Sequence, residues 1–103
     1  MAVEVHVDAV VQRGRFADFL GAAERWRQFR KERGWCVPRV LAGMSGTMNA
    51  VRFIFAYEHL ADYEREEAVV SADREYARVA MAMPFDGPIE FTIFQEASAA
   101  STK

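Results

Sequence analysis

The sequence has few of the residues that most often mark a specific chemistry. Cys36 is the only cysteine, so an internal disulfide and a zinc site built from several cysteines are both excluded. There are only two histidines, and there is no glycine-rich loop of the kind that cradles a dinucleotide or a nucleoside triphosphate. The sequence therefore predicts no metal and no organic cofactor, and we expect the purified protein to be colourless.

An excess of charge of one sign and long apolar runs are lacking as well. The 13 Lys and Arg residues are balanced by 15 Asp and Glu, which gives a net charge of −2. Without a basic patch, nucleic acid is not an expected partner. No segment approaches ~18 uninterrupted apolar residues, and Glu4, His6 and Asp8 interrupt the apolar N-terminal stretch. We therefore expect no membrane partner and a cytoplasmic location.

What the sequence does contain is the material for one hydrophobic core. Of its 103 residues, 51% are hydrophobic and eight are Phe. A chain of this length has room for a single domain. We predict one domain over residues 1–96, followed by a small, polar tail over 97–103 that frays.

The first half of the chain predicts a strand followed by a helix. Alternate residues from Val3 to Val11 are apolar, which is typical of a strand with one buried face. Helical spacing begins at Phe16, and the helix is predicted to end at Gly34, after cations such as Arg30 that favour a helix C-terminus. The buried side of this helix is predicted to consist of Phe16, Phe19, Leu20, Ala23, Trp26 and Phe29.

The second half predicts three strands and a broken helix. A strand over 35–43 contains Pro38, which favours an edge position, and a turn leads to a strand over 51–58. A helical region begins near Leu60, breaks near Ser71 and restarts at the N-cap Asp73, before a last strand over 89–94. The βαββαβ order predicts an α+β, ferredoxin-like fold, with an antiparallel four-stranded sheet and both helices on one face.

The two faces of this sheet are predicted to differ. Three apolar sets (Val3, Val5 and Val7; Val51, Phe53 and Phe55; Ile89, Phe91 and Ile93) are expected to pack against the helices. No further layer is left to cover the other face, so we predict that a second copy covers it in a homodimer. That face is predicted to carry Glu4, His6, Asp8, Arg52, Ile54, Glu90, Thr92 and Phe94.

This semi-polar face is the candidate functional site in the sequence. His6 is a candidate proton acceptor, and Asp8 and Arg52 are candidate partners that would orient a phenol or hold an enolate. These three are predicted to be catalytic, and the predicted substrate-binding residues are Glu4, Ile54, Glu90, Thr92 and Phe94. The alternative is a hydrogen-bonded polar face or a salt-bridged dimer seam without chemistry.

Other conspicuous side chains have structural interpretations. Cys36 is interpreted as a small, at least half-buried apolar residue, since no partner base is identifiable beside it. Trp26 is interpreted as a core aromatic, and Tyr63 and Tyr76 as core residues whose hydroxyls reach water.

A family resemblance begins at Asn49. Residues 49–83, NAVRFIFAYEHLADYEREEAVVSADREYARVAMAM, resemble the second half of a NIPSNAP-like domain in the dimeric α/β barrel superfamily. In that pattern an Asn opens an apolar strand that ends in an aromatic and an acidic residue, here Tyr57 and Glu58. An Arg in the next helix and an Asp before a second helical stretch follow, here Arg65 and Asp73.

The resemblance implies two sheets that pack face to face, with a cleft at the dimer barrel or between sheet and helices. The superfamily includes cofactor-independent monooxygenases, polyketide cyclases, haem-degrading enzymes and binding proteins. Our function prediction is a small-molecule enzyme of secondary metabolism that oxygenates, cyclises or isomerises an aromatic or polyketide-like substrate. The alternative is a non-catalytic, dimeric small-molecule-binding or accessory protein.

Overall fold

The computed structural model describes residues 2–97, and over these it confirms the predicted α+β, ferredoxin-like fold. The predicted tail, 97–103, lies outside the described residues except for residue 97. No helix within the described part is long and apolar enough to cross a membrane. The elements are β1 (Val3–Val10), α1 (Phe16–Glu32), β2 (Arg39–Ala42), β3 (Ala50–Tyr57), α2 (Leu60–Val70), α3 (Arg74–Met81) and β4 (Glu90–Gln95).

The sheet is antiparallel throughout, in the order β2-β3-β1-β4. The first and third strands are therefore central, as the βαββαβ order predicted. Strand β2 is at the edge, also as predicted, but it is shorter than the predicted 35–43 and begins immediately after Pro38. Proline lacks the N–H that a ladder requires, so pairing starts at Arg39.

Helix α1 packs its apolar stripe onto β1 and β3. Phe19 is completely buried, and Trp26 meets Phe53 edge to face with ring centroids 5.1 Å apart. The prediction for Leu20 is wrong, because this residue is exposed, and the position that completes the stripe is Arg30. The buried positions 19, 22, 23, 26 and 30 follow the helical spacing, whereas Leu20 lies about 100° around the axis from Phe19.

The predicted break between α2 and α3 is confirmed, together with its cap. The Asp73 carboxylate accepts a hydrogen bond from the Tyr76 backbone N–H at 2.9 Å, and the Arg33 guanidinium also contacts this carboxylate. Both contacts lower the pKa of Asp73. Helix α3 then packs against α1.

The prediction that the helices cover β4 is wrong. Phe91, expected to pack beneath them, is 67% exposed, and Ile89 and Ile93 are exposed as well. Because α2 contacts β3 and α3 packs against α1, no helix within residues 2–97 packs closely on the fourth strand. Every residue of β4 is exposed, so within the described part of the chain this strand has two uncovered faces and one unpaired edge.

Candidate functional site

An apolar cavity of about 400 Å³ lies between the sheet and the helices. It exists because α3 packs on α1 and leaves the space beside β4 unfilled. The exposed side chains of Met81 and Phe91 mark its opening to solvent. Its inner wall is formed mainly by core residues, among them Val7, Trp26, Phe53, Phe55 and Met83.

A smaller hollow of about 190 Å³ adjoins this cavity, and its lining is more polar. The two spaces share Val7, Phe55, Tyr76 and Phe91, so an apolar chamber and a polar end lie side by side. We call the two together the helix-side cleft. The polar end is lined by Arg30, Tyr57, Tyr63 and Glu67, in addition to Tyr76.

Arg30 is the centre of that polar end, and it is only 3% exposed. Its Nε donates to the Cys36 carbonyl oxygen at 2.6 Å, and its Nη2 donates to the Glu66 carboxylate at 3.0 Å. Its Nη1 donates to the Tyr76 hydroxyl oxygen at 3.0 Å. A buried guanidinium is tolerated only when its donors are paired in this way.

Aromatic rings surround the same guanidinium. The central carbon of Arg30 lies 4.9 Å from the ring centroid of Phe55, and between 5.5 and 5.7 Å from those of Trp26, Trp35 and Tyr76. Such distances are within the range of a cation–π interaction, which strengthens where water is excluded. The rings therefore compensate part of the desolvation of this charge.

Glu66, on α2, ties the network to two other elements. Its carboxylate accepts from the Cys36 backbone N–H at 2.8 Å and from the Tyr57 hydroxyl at 2.5 Å, in addition to Arg30. Burial and this contact with Glu66 raise the pKa of Tyr57 well above its usual value, so the phenol keeps its proton.

The thiol of Cys36 is half-buried and donates to the Ala56 carbonyl oxygen at 3.4 Å. Burial raises its pKa, which keeps the sulfur in the unreactive thiol form. These observations agree with its interpretation as a small apolar residue.

The residues that the sequence nominated lie together on the opposite, helix-free face of the sheet, which we call the open face. Asp8 and Arg52 form a two-point ion pair, with Nε–Oδ1 at 2.6 Å and Nη2–Oδ2 at 3.2 Å. The His6 Nε2 atom lies 2.9 Å from the Glu4 carboxylate, and its ring meets that of Phe94 with centroids 4.7 Å apart.

The remaining nominated residues flank these pairs. Ile54 and Thr92 are opposite His6 on the two neighbouring strands, and Glu90 is opposite Asp8. None of the eight nominated residues lines the helix-side cleft. Two hollows border the nominated residues instead, one of about 300 Å³ beside Asp8 and Arg52 and one of about 330 Å³ beside Glu4 and Phe94. The role of these residues in binding a substrate stays a prediction.

No group of three or more His, Cys, Asp or Glu residues that could hold a metal ion occurs within residues 2–97. Glu4, His6 and Asp8 follow one another along β1, but Asp8 pairs with Arg52 rather than with His6.

The fold matches several solved structures over nearly the whole chain. A NIPSNAP-like domain protein from Burkholderia xenovorans superposes with a TM-score of 0.78 at 17% identity, covering 95% of this chain and 87% of that chain. The chain has the fold of NIPSNAP-like domains. A NIPSNAP family protein from Agrobacterium tumefaciens matches with a TM-score of 0.77 at 11% identity, covering 96% of both chains.

The same fold occurs in proteins with a named activity. An antibiotic biosynthesis monooxygenase matches with a TM-score of 0.71 at 8% identity, covering 93% of this chain and 99% of that chain. Identities this low show a shared fold and no more. No family model and no curated protein matches the sequence.

The sequence interpretation missed the residues at the polar end of the cleft. Arg30 was considered only as a cation that favours a helix C-terminus, although it lies four residues after Trp26, on the apolar stripe. Tyr76 was interpreted as a core residue with a wet hydroxyl, but that hydroxyl belongs to the Arg30 network. A charged residue at a stripe position is the signal that points to a buried ion pair.

Proposed function

We propose that the protein binds an apolar, ring-containing small molecule in the helix-side cleft. The observation that carries this proposal is the chamber of about 400 Å³ with apolar walls and a polar end. Small-molecule sites commonly occupy roughly 300–1,000 Å³ and combine apolar walls with a few convergent polar groups. The cleft meets both criteria.

The reaction that we propose is a cofactor-independent oxygenation, cyclisation or isomerisation of an aromatic or polyketide-like substrate. Its support is the shared fold with a monooxygenase of antibiotic biosynthesis, together with a cleft in which polar groups lie at one end of an apolar chamber. The competing proposal is a binding or accessory protein that leaves its ligand unchanged.

We also propose that the working unit is a homodimer, formed through the open face and β4. The support is exposed apolar surface on both: Phe94 is 49% exposed, and Ile93 and Phe91 are exposed on the other side of the same strand. The open face also carries both partners of the Asp8–Arg52 ion pair, so neither of these two charges would enter an interface without its counter-ion.

A pair of variants on α3 tests the binding site. Ala80 lines the chamber and Ala77 is exposed on the same helix, so Ala80→Phe fills the cleft while Ala77→Phe is the matched control. We expect the neutral fluorescent probe phenylnaphthylamine to bind wild type and Ala77→Phe equally, and Ala80→Phe at least about tenfold more weakly. Equal binding by all three proteins would place the probe elsewhere and overturn the proposed site.

Catalysis is tested separately from binding. Native mass spectrometry of the purified protein identifies any compound that copurifies, and that compound is then incubated with protein and dioxygen. A product that has gained oxygen, or an isomer with a new chromatographic retention, supports the enzyme. A compound recovered unchanged at stoichiometric protein supports the binding protein.

A further inference from the structure

The hydroxyl group of Tyr76 has an unusual set of hydrogen-bond partners. Its oxygen accepts from the Trp26 Nε1–H at 2.9 Å and from the Arg30 Nη1–H at 3.0 Å. An indole and a guanidinium only donate, so neither can accept the proton of the phenol. The oxygen therefore accepts two hydrogen bonds. Neither of these partners can accept the hydroxyl proton of Tyr76.

The Tyr76 hydroxyl is also free to donate a hydrogen bond towards the cleft. Within residues 2–97 the Tyr76 hydroxyl accepts two hydrogen bonds and donates none, and the side of the oxygen that faces Trp26 and Arg30 is already occupied. Tyr76 lines both the apolar chamber and the polar end of the helix-side cleft. The cleft is therefore the space in which a ligand would accept this proton.

We infer that the Tyr76 hydroxyl is a fixed hydrogen-bond donor in the helix-side cleft, and that it selects ligands carrying a neutral acceptor oxygen, such as a ketone or quinone carbonyl. The inference rests on the proposed small-molecule site and adds to it the chemical class of the ligand. Two donors, one of them cationic, polarise this hydroxyl and strengthen the bond that it donates.

The charges around the hydroxyl favour a neutral ligand over an anionic one. The positive charge of Arg30 is paired with the Glu66 carboxylate at 3.0 Å, so it is not free for a ligand carboxylate. Glu67 adds a second acidic side chain at the polar end. A ligand anion would therefore lose its hydration without gaining a cation.

Two probes of nearly equal size test the inference. Fluorenone carries one carbonyl oxygen where fluorene carries a methylene group, and fluorenecarboxylate supplies the anion. We expect wild type to bind fluorenone up to about tenfold more tightly than fluorene, as one hydrogen bond between neutral groups allows. We expect fluorenecarboxylate to bind more weakly than both.

The decisive variant is Tyr76→Phe, with Tyr63→Phe as its control, because Tyr63 also lines the polar end but takes no part in this network. In Tyr76→Phe the two neutral probes, fluorenone and fluorene, should bind with about the same affinity. In Tyr63→Phe the tighter binding of fluorenone should be retained. An unchanged preference in Tyr76→Phe, or a preference lost only in Tyr63→Phe, would overturn the inference while leaving the proposed site intact.

Stability is measured separately, because Tyr76→Phe also leaves the Trp26 and Arg30 donors without their acceptor. If this variant does not fold, the vibrational spectrum of fluorenone bound to wild type decides. A carbonyl stretch lower than in an apolar solvent supports the donor, and an unshifted stretch refutes it. Failure of wild type to bind either neutral probe would overturn the proposed function, and the inference with it.

Discussion

The two faces of the sheet each carry an arginine–carboxylate pair, and the two pairs differ in their surroundings. On the helix side, Arg30 is enclosed by four aromatic rings and bonded to Glu66. On the open face, Arg52 binds Asp8 at two points, with half of the Arg52 side chain exposed to solvent. The same type of ion pair is thus buried on one face of the sheet and exposed to solvent on the other.

This difference assigns the two pairs different tasks. A buried charge depends on its partner, because an unpaired ion in a low-dielectric interior is strongly unfavourable. An exposed pair adds little stability, because water and salt screen it. The helix-side pair therefore fixes the shape of the cleft, whereas the open-face pair is available to a second copy or a ligand.

The largest effect is expected from Arg30→Met, which keeps the length of the side chain and removes its charge. Glu66 would be left without its cation, and Tyr76 and the Cys36 carbonyl would each lose a donor. We expect a loss of about 3–5 kcal/mol in the free energy of unfolding, measured by urea denaturation.

Arg25→Met is the matched control for this variant. Arg25 is on the same helix, but it is exposed, so the substitution should change the stability by less than about 0.5 kcal/mol. A similar loss in both variants would mean that the helix, rather than the ion pair, depends on arginine.

The next largest effect concerns the homodimer, and the variant is Phe94→Glu. Phe94 is on the open face beside His6, and a second copy would bury an added carboxylate there. We expect the dissociation constant to rise at least about 100-fold, which corresponds to about 2.8 kcal/mol, as measured by sedimentation equilibrium. Leu20→Glu, which changes an exposed leucine on α1, should leave the dissociation constant of the dimer unchanged. A wild-type mass of 11.7 kDa at micromolar concentration would refute the dimer.

A smaller effect is expected on the pH dependence of stability, and it comes from Tyr57 on the helix side of the sheet. Burial and Glu66 raise its pKa in the folded protein above the value of about 10 in the unfolded chain. The resulting stability is present below pH ~10 and is lost as the pH rises further, because only the unfolded state then releases the proton. Relative to Tyr57→Phe, wild type should lose up to about 1.4 kcal/mol per pH unit above pH ~10, reduced by solvent screening. Parallel stability curves up to pH ~12 would contradict the assignment.

The fold was predictable from the sequence because its signals are local. Alternation in β1 and β3, the change to helical spacing at Phe16 and the N-cap Asp73 each fix an element without reference to the rest of the chain. The exposure of β4 was not predictable in this way. Its alternating Phe91 and Ile93 indicate a half-buried strand, but α3 packs on α1 and leaves β4 uncovered by the helices of residues 2–97.

The polar end of the helix-side cleft was not predictable from local patterns. Polar residues on a strand are easy to recognise, so His6, Asp8 and Arg52 stood out, and the structure does bring them to one face. The Arg30 network joins residues up to 46 positions apart in the chain. Such a network is set by tertiary packing, and the only local sign of it is a charged residue at a stripe position.

The smallest effect is expected from Arg52→Met, the same substitution as on the helix side. In the monomeric Phe94→Glu background the Asp8–Arg52 pair is exposed, so we expect a loss of only about 0–1 kcal/mol. Binding of phenylnaphthylamine should stay within about twofold, because Arg52 does not line the helix-side cleft. Lost binding at unchanged stability would instead move the ligand to the open face.

The same substitution in the wild-type background completes the comparison of the two faces. A second copy that covers the open face would remove water from the Asp8–Arg52 pair and make it resemble the Arg30–Glu66 pair. Arg52→Met should then cost more in the dimer than in the monomer, because Asp8 would be buried without its cation. Unfolding measured in both backgrounds gives this difference directly. Equal costs would mean that the open face stays wet, and that the dimer, if it forms, uses the uncovered edge and inner side of β4.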